Sequence, residues 1–111
     1  MSPGVGDYCL GYGYIFKEFA KRGIAVHGFD RKGFGLSGGK RGEISETELE
    51  DHWDFIDHVL KTKGYADSIP RFVWGYSYGG LMALRLCQQR PNFFNGEIFL
   101  CPNYGPLHPN N

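Results

Sequence analysis

Apolar residues recur along this chain in two alternating rhythms. In residues 12–22, Ile15, Phe16 and Phe19 share one helical face, Lys21 and Arg22 suit the negative helix end, and Gly23 is placed to stop it. Residues 24–29, Ile-Ala-Val-His-Gly-Phe, form a short, mostly apolar run of strand type. Ser45 with Glu48 three residues on reads as a capping box, opening a helix to Lys63 with Leu49, Trp53, Ile56 and Leu60 turned to the core. Gly64 ends it. Phe72, Val73 and Trp74 make a second strand, and residues 78–89 a helix so apolar from Leu81 to Cys87 that it should be buried, terminated by Pro91. Residues 97–101 read as a third strand, and the Pro- and Asn-rich residues 102–111 as loop or tail.

Apolar strands alternating with amphipathic helices predict an α/β fold, a parallel sheet covered on both faces. Between the first strand and the second helix lies a glycine-studded loop, Asp30-Arg31-Lys32-Gly33-Phe34-Gly35-Leu36-Ser37-Gly38-Gly39. The spacing of Gly33, Gly35 and Gly38 fits a dinucleotide fingerprint, but that motif needs a helix opening at its second glycine, and here the loop continues through Gly42.

Composition narrows the function classes. The 111 residues suffice for one small domain at most, and 41% hydrophobic with 16% aromatic content describes a core-forming chain. Twelve basic residues balance twelve acidic ones, so nothing points to nucleic acid as a partner. No apolar run reaches membrane-span length, and Met1-Ser2-Pro3-Gly4 has neither the basic start nor the apolar stretch of a signal peptide. The chain is therefore read as cytoplasmic or peripherally membrane-bound. Cys9, Cys87 and Cys101 have no metal-ligand spacing and are expected as small buried residues in a reducing compartment. Asp54 and His58, four apart, read as a solvated helix face, and no metal or cofactor site is assigned.

The chemistry concentrates at Gly75-Tyr76-Ser77-Tyr78-Gly79-Gly80, between the second strand and the helix after it. Gly-x-Ser-x-Gly in a strand-turn-helix setting is the nucleophile-elbow pattern. So sharp a turn strains the serine backbone and brings its neighbours close, and Gly75 and Gly79 have no side chains to collide. It also sets Ser77 at a helix N-terminus, where unpaired N–H groups and the positive dipole end favour a developing oxyanion.

Four stretches together resemble the α/β-hydrolases, and within them the monoacylglycerol lipases and lysophospholipases. Pro3-Gly4-Val5-Gly6-Asp7 is similar to the family's oxyanion loop, with Pro3 where a histidine is usual. Phe29 to Gly39 resembles its Asp-x-x-Gly-x-Gly-x-Ser-x-Gly loop, Gly75 to Gly80 its elbow, and Phe99-Leu100-Cys101-Pro102 the strand leading toward its lid. The resemblance implies a serine hydrolase that cleaves lipid carboxylic esters through an acyl-enzyme, without a cofactor. Ser77 would be the nucleophile, and the backbone N–H groups of Val5 and Tyr78 the oxyanion donors. A lid, absent from this chain, would give peripheral membrane contact.

The resemblance also implies a catalytic acid and histidine well beyond the nucleophile. His27, His52, His58 and His108 do not fit the base role, and an unactivated serine is a weak nucleophile. Residues 1–111 are thus read as the N-terminal part of one α/β-hydrolase domain, lacking the lid, acid and histidine regions and inactive alone. The alternatives are a non-catalytic truncated relative, or an acyltransferase, peptidase or thioesterase on the same fold. The resemblance further implies a missing strand between residues 24–29 and 72–74. Those two strands should flank a gap of about 10 Å or collapse into a non-native pair, leaving a marginal chain.

Overall fold

The computed structural model describes residues 1–4 and 8–102. A short 3-10 turn, Cys9–Tyr12, leads into α1, Gly13–Lys21. The long loop comes next, then α2, Glu48–Lys63, then β1, Phe72–Tyr76, then α3, Tyr78–Gln89, and finally β2, Gly96–Leu100. The two strands pair in parallel, in register from Phe72 with Gly96 to Tyr76 with Leu100. The architecture is a partial α/β fold with an incomplete sheet.

Strand alternation divides the faces. Val73 and Gly75 point inward, and Val73 joins Trp53, Ala83 and Leu86 in the core, with Leu49, Ile56, Phe93, Phe94 and Phe99 packed around it. Full burial of side chains such as Leu86 and Val73 contributes about 1.5–3 kcal/mol each. The Trp53 indole donates to Gln89 Oε1 at 2.7 Å, and the Arg90 guanidinium lies 3.9 Å over its ring, so α2 is locked to the end of α3. On the opposite face the 3-10 turn and α1 reach the sheet through Tyr12 and Phe19 respectively, both against Trp74. Phe72, Tyr76, Ile98 and Leu100, on that same face, remain exposed.

Three expectations are corrected. Residues 24–29 form no strand, because a strand exists only by its ladder and among the described residues no strand is paired with this run. The Met1 nitrogen donates to the His27 carbonyl at 2.9 Å. Ser2 donates to the Trp74 carbonyl at 2.7 Å and accepts from the Tyr76 N–H at 3.1 Å, an isolated parallel bridge to β1. The space between residues 24–29 and β1 is therefore neither a void nor closed by collapse; Met1 and Ser2 stand in it. Second, the capping box is absent: α2 begins at Glu48 with Thr47 as N-cap and no side-chain cap bond, while the Ser45 hydroxyl accepts from the Thr47 N–H in a turn just before it. Third, Cys101 is exposed and Cys9 and Cys87 are only half-buried, with Cys87 packed against the edge of the core. Gly23 and Gly64 do end their helices with positive φ, at 76° and 65°.

A polar cluster lies under the short segment at residues 1–3. His52 is buried, accepts from the Ser2 hydroxyl at Nε2 (2.8 Å) and donates from Nδ1 to the Glu48 carbonyl (2.6 Å). That pattern needs the neutral ring, and burial pushes the imidazole down to about 4. The unfolded chain takes up this proton near pH 6.5 and the folded one only near 4. The folded state therefore has its full stability above about pH 6.5 and loses it as the pH falls toward 4. At pH 4.5 the loss should be about 2–3 kcal/mol. His52→Gln keeps an acceptor for Ser2 but cannot titrate, so its urea midpoint should fall less between pH 7 and 4.5. Equal losses in both proteins would show that His52 does not carry the effect.

Candidate active site

β1 ends at Tyr76 and α3 begins at Tyr78, leaving Ser77 alone to reverse the chain. It does so at φ 54°, ψ −116°, in the region L-residues avoid. Such a conformation costs about 1–3 kcal/mol and persists only where the surroundings over-determine it. Here they do. The Ser77 N–H donates to the Leu100 carbonyl at 2.9 Å, and the Ser77 carbonyl accepts from the Gly80 N–H at 2.9 Å.

The flanking glycines are set by contact. A Cβ on Gly75 would lie 2.0 Å from the Gly79 carbonyl oxygen, and one on Gly79 would lie 1.9 Å from the Ser2 carbonyl oxygen. Strand, helix and the residue 1–3 segment thus meet backbone to backbone beneath Ser77. Ser77 itself is half-buried at the N-terminus of the twelve-residue α3. Tyr78 supplies the first of the donors that a helix leaves unpaired within itself. Val5, expected as the second oxyanion donor, lies outside the described residues. Its neighbour Gly4 is buried, and its carbonyl accepts from Arg31 Nη2 at 2.6 Å.

The described histidines are committed elsewhere. His27 Nε2 meets the Tyr65 hydroxyl at 2.9 Å, His52 holds Ser2 and Glu48, and His58 meets Thr62 at 3.5 Å on the exposed face of α2. His108 lies outside the described residues. Asp54 and His58 are both exposed, and among the described residues no three His, Cys, Asp or Glu side chains are placed to hold a metal ion. Two open clefts, of about 480 and 440 Å³, run along the 29–54 region and are lined by neither Ser77 nor Tyr78.

The loop after residue 29 has its own order. The Asp30 carboxylate accepts from the Cys9 N–H at 2.7 Å and from the Leu36 N–H at 2.9 Å, while its carbonyl accepts from the Ser37 hydroxyl. The next residue, Arg31, turns inward and is completely buried, 3.7 Å from Glu48 and 4.8 Å from each of the Phe34 and Tyr78 rings. Burial raises the Glu48 carboxyl and the Arg31 charge works against that rise. Sequence reading placed Arg31 in a glycine-studded loop and Glu48 in a helix cap. The one available signal was that Glu48 and His52, four apart, share a helical face.

A protein-family model described as serine aminopeptidase, S33, matches residues 1–110. The chain belongs to this family of α/β-hydrolases. It is 28% identical over 102 residues to the monoglyceride lipase of Rattus norvegicus, covering 92% of this chain and 33% of that protein. It is 36% identical over 84 residues to an uncharacterised abhydrolase domain-containing protein of Dictyostelium discoideum, covering 76% of this chain and 8% of that one. The crystal structure of Paleococcus ferrophilus monoacylglycerol lipase is similar with a TM-score of 0.73 and 31% identity, over 91% of this chain and 37% of that one. The chain thus spans about a third of the monoglyceride lipases it matches.

Three substitutions test the elbow geometry by stability, one of them a control. Gly79→Ala should destabilise the fold by about 3 kcal/mol, whereas Gly38→Ala, which meets nothing within 4 Å, should change it by under about 0.5 kcal/mol. Ser77→Gly relieves the strained φ and should stabilise the fold by about 1 kcal/mol. Urea denaturation of the three variants reads all of these, and a destabilised Ser77→Gly would contradict the strain.

Proposed function

We propose that this chain is the N-terminal part of one α/β-hydrolase domain, carrying the nucleophile and oxyanion donors of a serine ester hydrolase. Its substrates are lipid carboxylic esters such as monoacylglycerol or lysophospholipid. The observation that carries the reading is Ser77 held at φ 54° between β1 and the N-terminus of α3. Relatives named as monoglyceride lipases support the substrate class.

In this mechanism Ser77 Oγ attacks the ester carbonyl carbon and passes its proton to a base. The carbonyl oxygen becomes an oxyanion, received by the Tyr78 N–H at the positive end of α3 and, as the family resemblance implies, by the Val5 N–H. Expulsion of the alcohol leaves an acyl-Ser77, which water hydrolyses to release the fatty acid. The base and its acid are assigned, by the family resemblance, to residues beyond this sequence; among the described histidines, His27, His52 and His58 are engaged elsewhere. Among the described residues no helix is long and apolar enough to cross a membrane. The family resemblance implies that a lid outside this chain would make contact with the lipid surface.

The native protein containing this chain should hydrolyse monoacylglycerol at about 1–10³ per second, and Ser77→Ala should lower that by about 10⁴-fold or more. Residues 1–111 alone should cleave p-nitrophenyl butyrate no faster than their Ser77→Ala form. Undiminished turnover in the Ser77→Ala native protein would remove the nucleophile assignment. Ser77-dependent turnover by residues 1–111 alone would place the base within them. Faster cleavage of aminoacyl amides than of esters would favour a peptidase, as the family description names.

A further inference from the structure

Among the described residues three that are not glycine hold a positive φ: Ser77 at 54°, Asn92 at 68° and Cys101 at 46°. Asparagine tolerates that region, whereas serine and cysteine avoid it. Cys101 is restricted further because Pro102 follows it, and a residue before proline is pushed toward extended backbone. Strain of this kind persists only where the surroundings over-determine it.

The two strained residues adjoin. The Ser77 N–H donates to the Leu100 carbonyl at 2.9 Å, one rung beyond the paired strands. That carbonyl lies in the peptide plane that ends at the Cys101 Cα. The φ of Cys101 turns the chain out of this plane, and Pro102 then sits on Gly80. A Cβ on Gly80 would meet Pro102 Cβ at 2.9 Å and Pro102 Cα at 3.0 Å. The Gly80 N–H in turn donates to the Ser77 carbonyl at 2.9 Å. These contacts close a ring from Ser77 through Leu100, Cys101, Pro102 and Gly80 back to Ser77, and they hold the peptide groups on both sides of the serine.

We infer that the corner at residues 100–102 positions the nucleophile, Cys101 through its backbone conformation and Pro102 through its seat on Gly80. This rests on the assignment of Ser77 as nucleophile. With both flanking peptides fixed, the Ser77 Cα–Cβ bond has one direction, and Oγ starts near its attack geometry. A misplacement of about 1 Å can cost about 100-fold in rate.

The test uses the native protein containing this chain and a soluble short-chain ester, with active sites counted by end-point fluorophosphonate titration. Cys101→Val puts a β-branched residue where φ must be positive and should turn the corner out of place. Gly80→Ala pushes Pro102 off its seat from the other side, although alanine is the better helix former in α3. Both should lose about 10- to 100-fold in kcat per titrated site, with KM within about twofold. Cys101→Gly favours the same turn and should keep kcat within about twofold. The thiol is exposed, so Cys101→Ser should likewise keep kcat within about twofold. An unchanged kcat in Gly80→Ala or in Cys101→Val, a Cys101→Gly loss equal to that of Cys101→Val, or changes confined to KM would overturn the inference. If Cys101→Val does not fold, Gly80→Ala decides alone. Should the inference fail beside an inactive Ser77→Ala, only the corner loses its role. A Ser77→Ala protein that still turns over removes the nucleophile and this inference together.

Discussion

The structure turns on a place where three backbones touch with no side chains between them. Gly75 of β1 lies against the Gly79 carbonyl, and Gly79 lies against the Ser2 carbonyl. Only because both lack a Cβ can α3 start one residue after β1 ends. That immediacy leaves Ser77 no relaxed conformation, and it also puts the serine at the positive end of a twelve-residue helix. Burial along the helix offsets the strain: Met82, Ala83 and Leu86 are buried on the inner face of α3, and the last two share the core with Trp53 and Val73.

Two adjacent residues then divide the work of joining the glycine-rich loop to that place. Asp30 gathers N–H groups from Cys9 and Leu36 and so shapes the loop from outside. Arg31 points the other way, into a buried site bounded by Glu48, Phe34, Tyr78 and the Gly4 carbonyl. A neighbouring polar chain, from Ser2 through His52 to the Glu48 carbonyl, ties residues 1–3 to α2. The short segment that borders the elbow is thus held by β1 on one side and by buried polar groups on the other. Low local dielectric makes such groups costly when unpaired and stiff when paired.

Local chemistry alone determined much of this protein. The apolar period of α2 and α3, the glycine stops at Gly23 and Gly64, the alternation of strand and helix, and Gly-x-Ser-x-Gly at a strand-helix junction all arise from interactions within a few residues of one another. Side-chain direction in a helix and the steric freedom of glycine are local properties, so a linear reading reaches them. What only the tertiary structure decided depends on residues far apart in sequence. Whether residues 24–29 form a strand depends on a neighbour from elsewhere in the chain to complete their ladder. The cap of α2 and the burial of Arg31, Glu48 and His52 likewise depend on packing against Tyr78, Gly4 and Ser2. A charged residue in a glycine-rich loop looks solvated until the fold closes over it, because the partners that make its burial tolerable come from other elements.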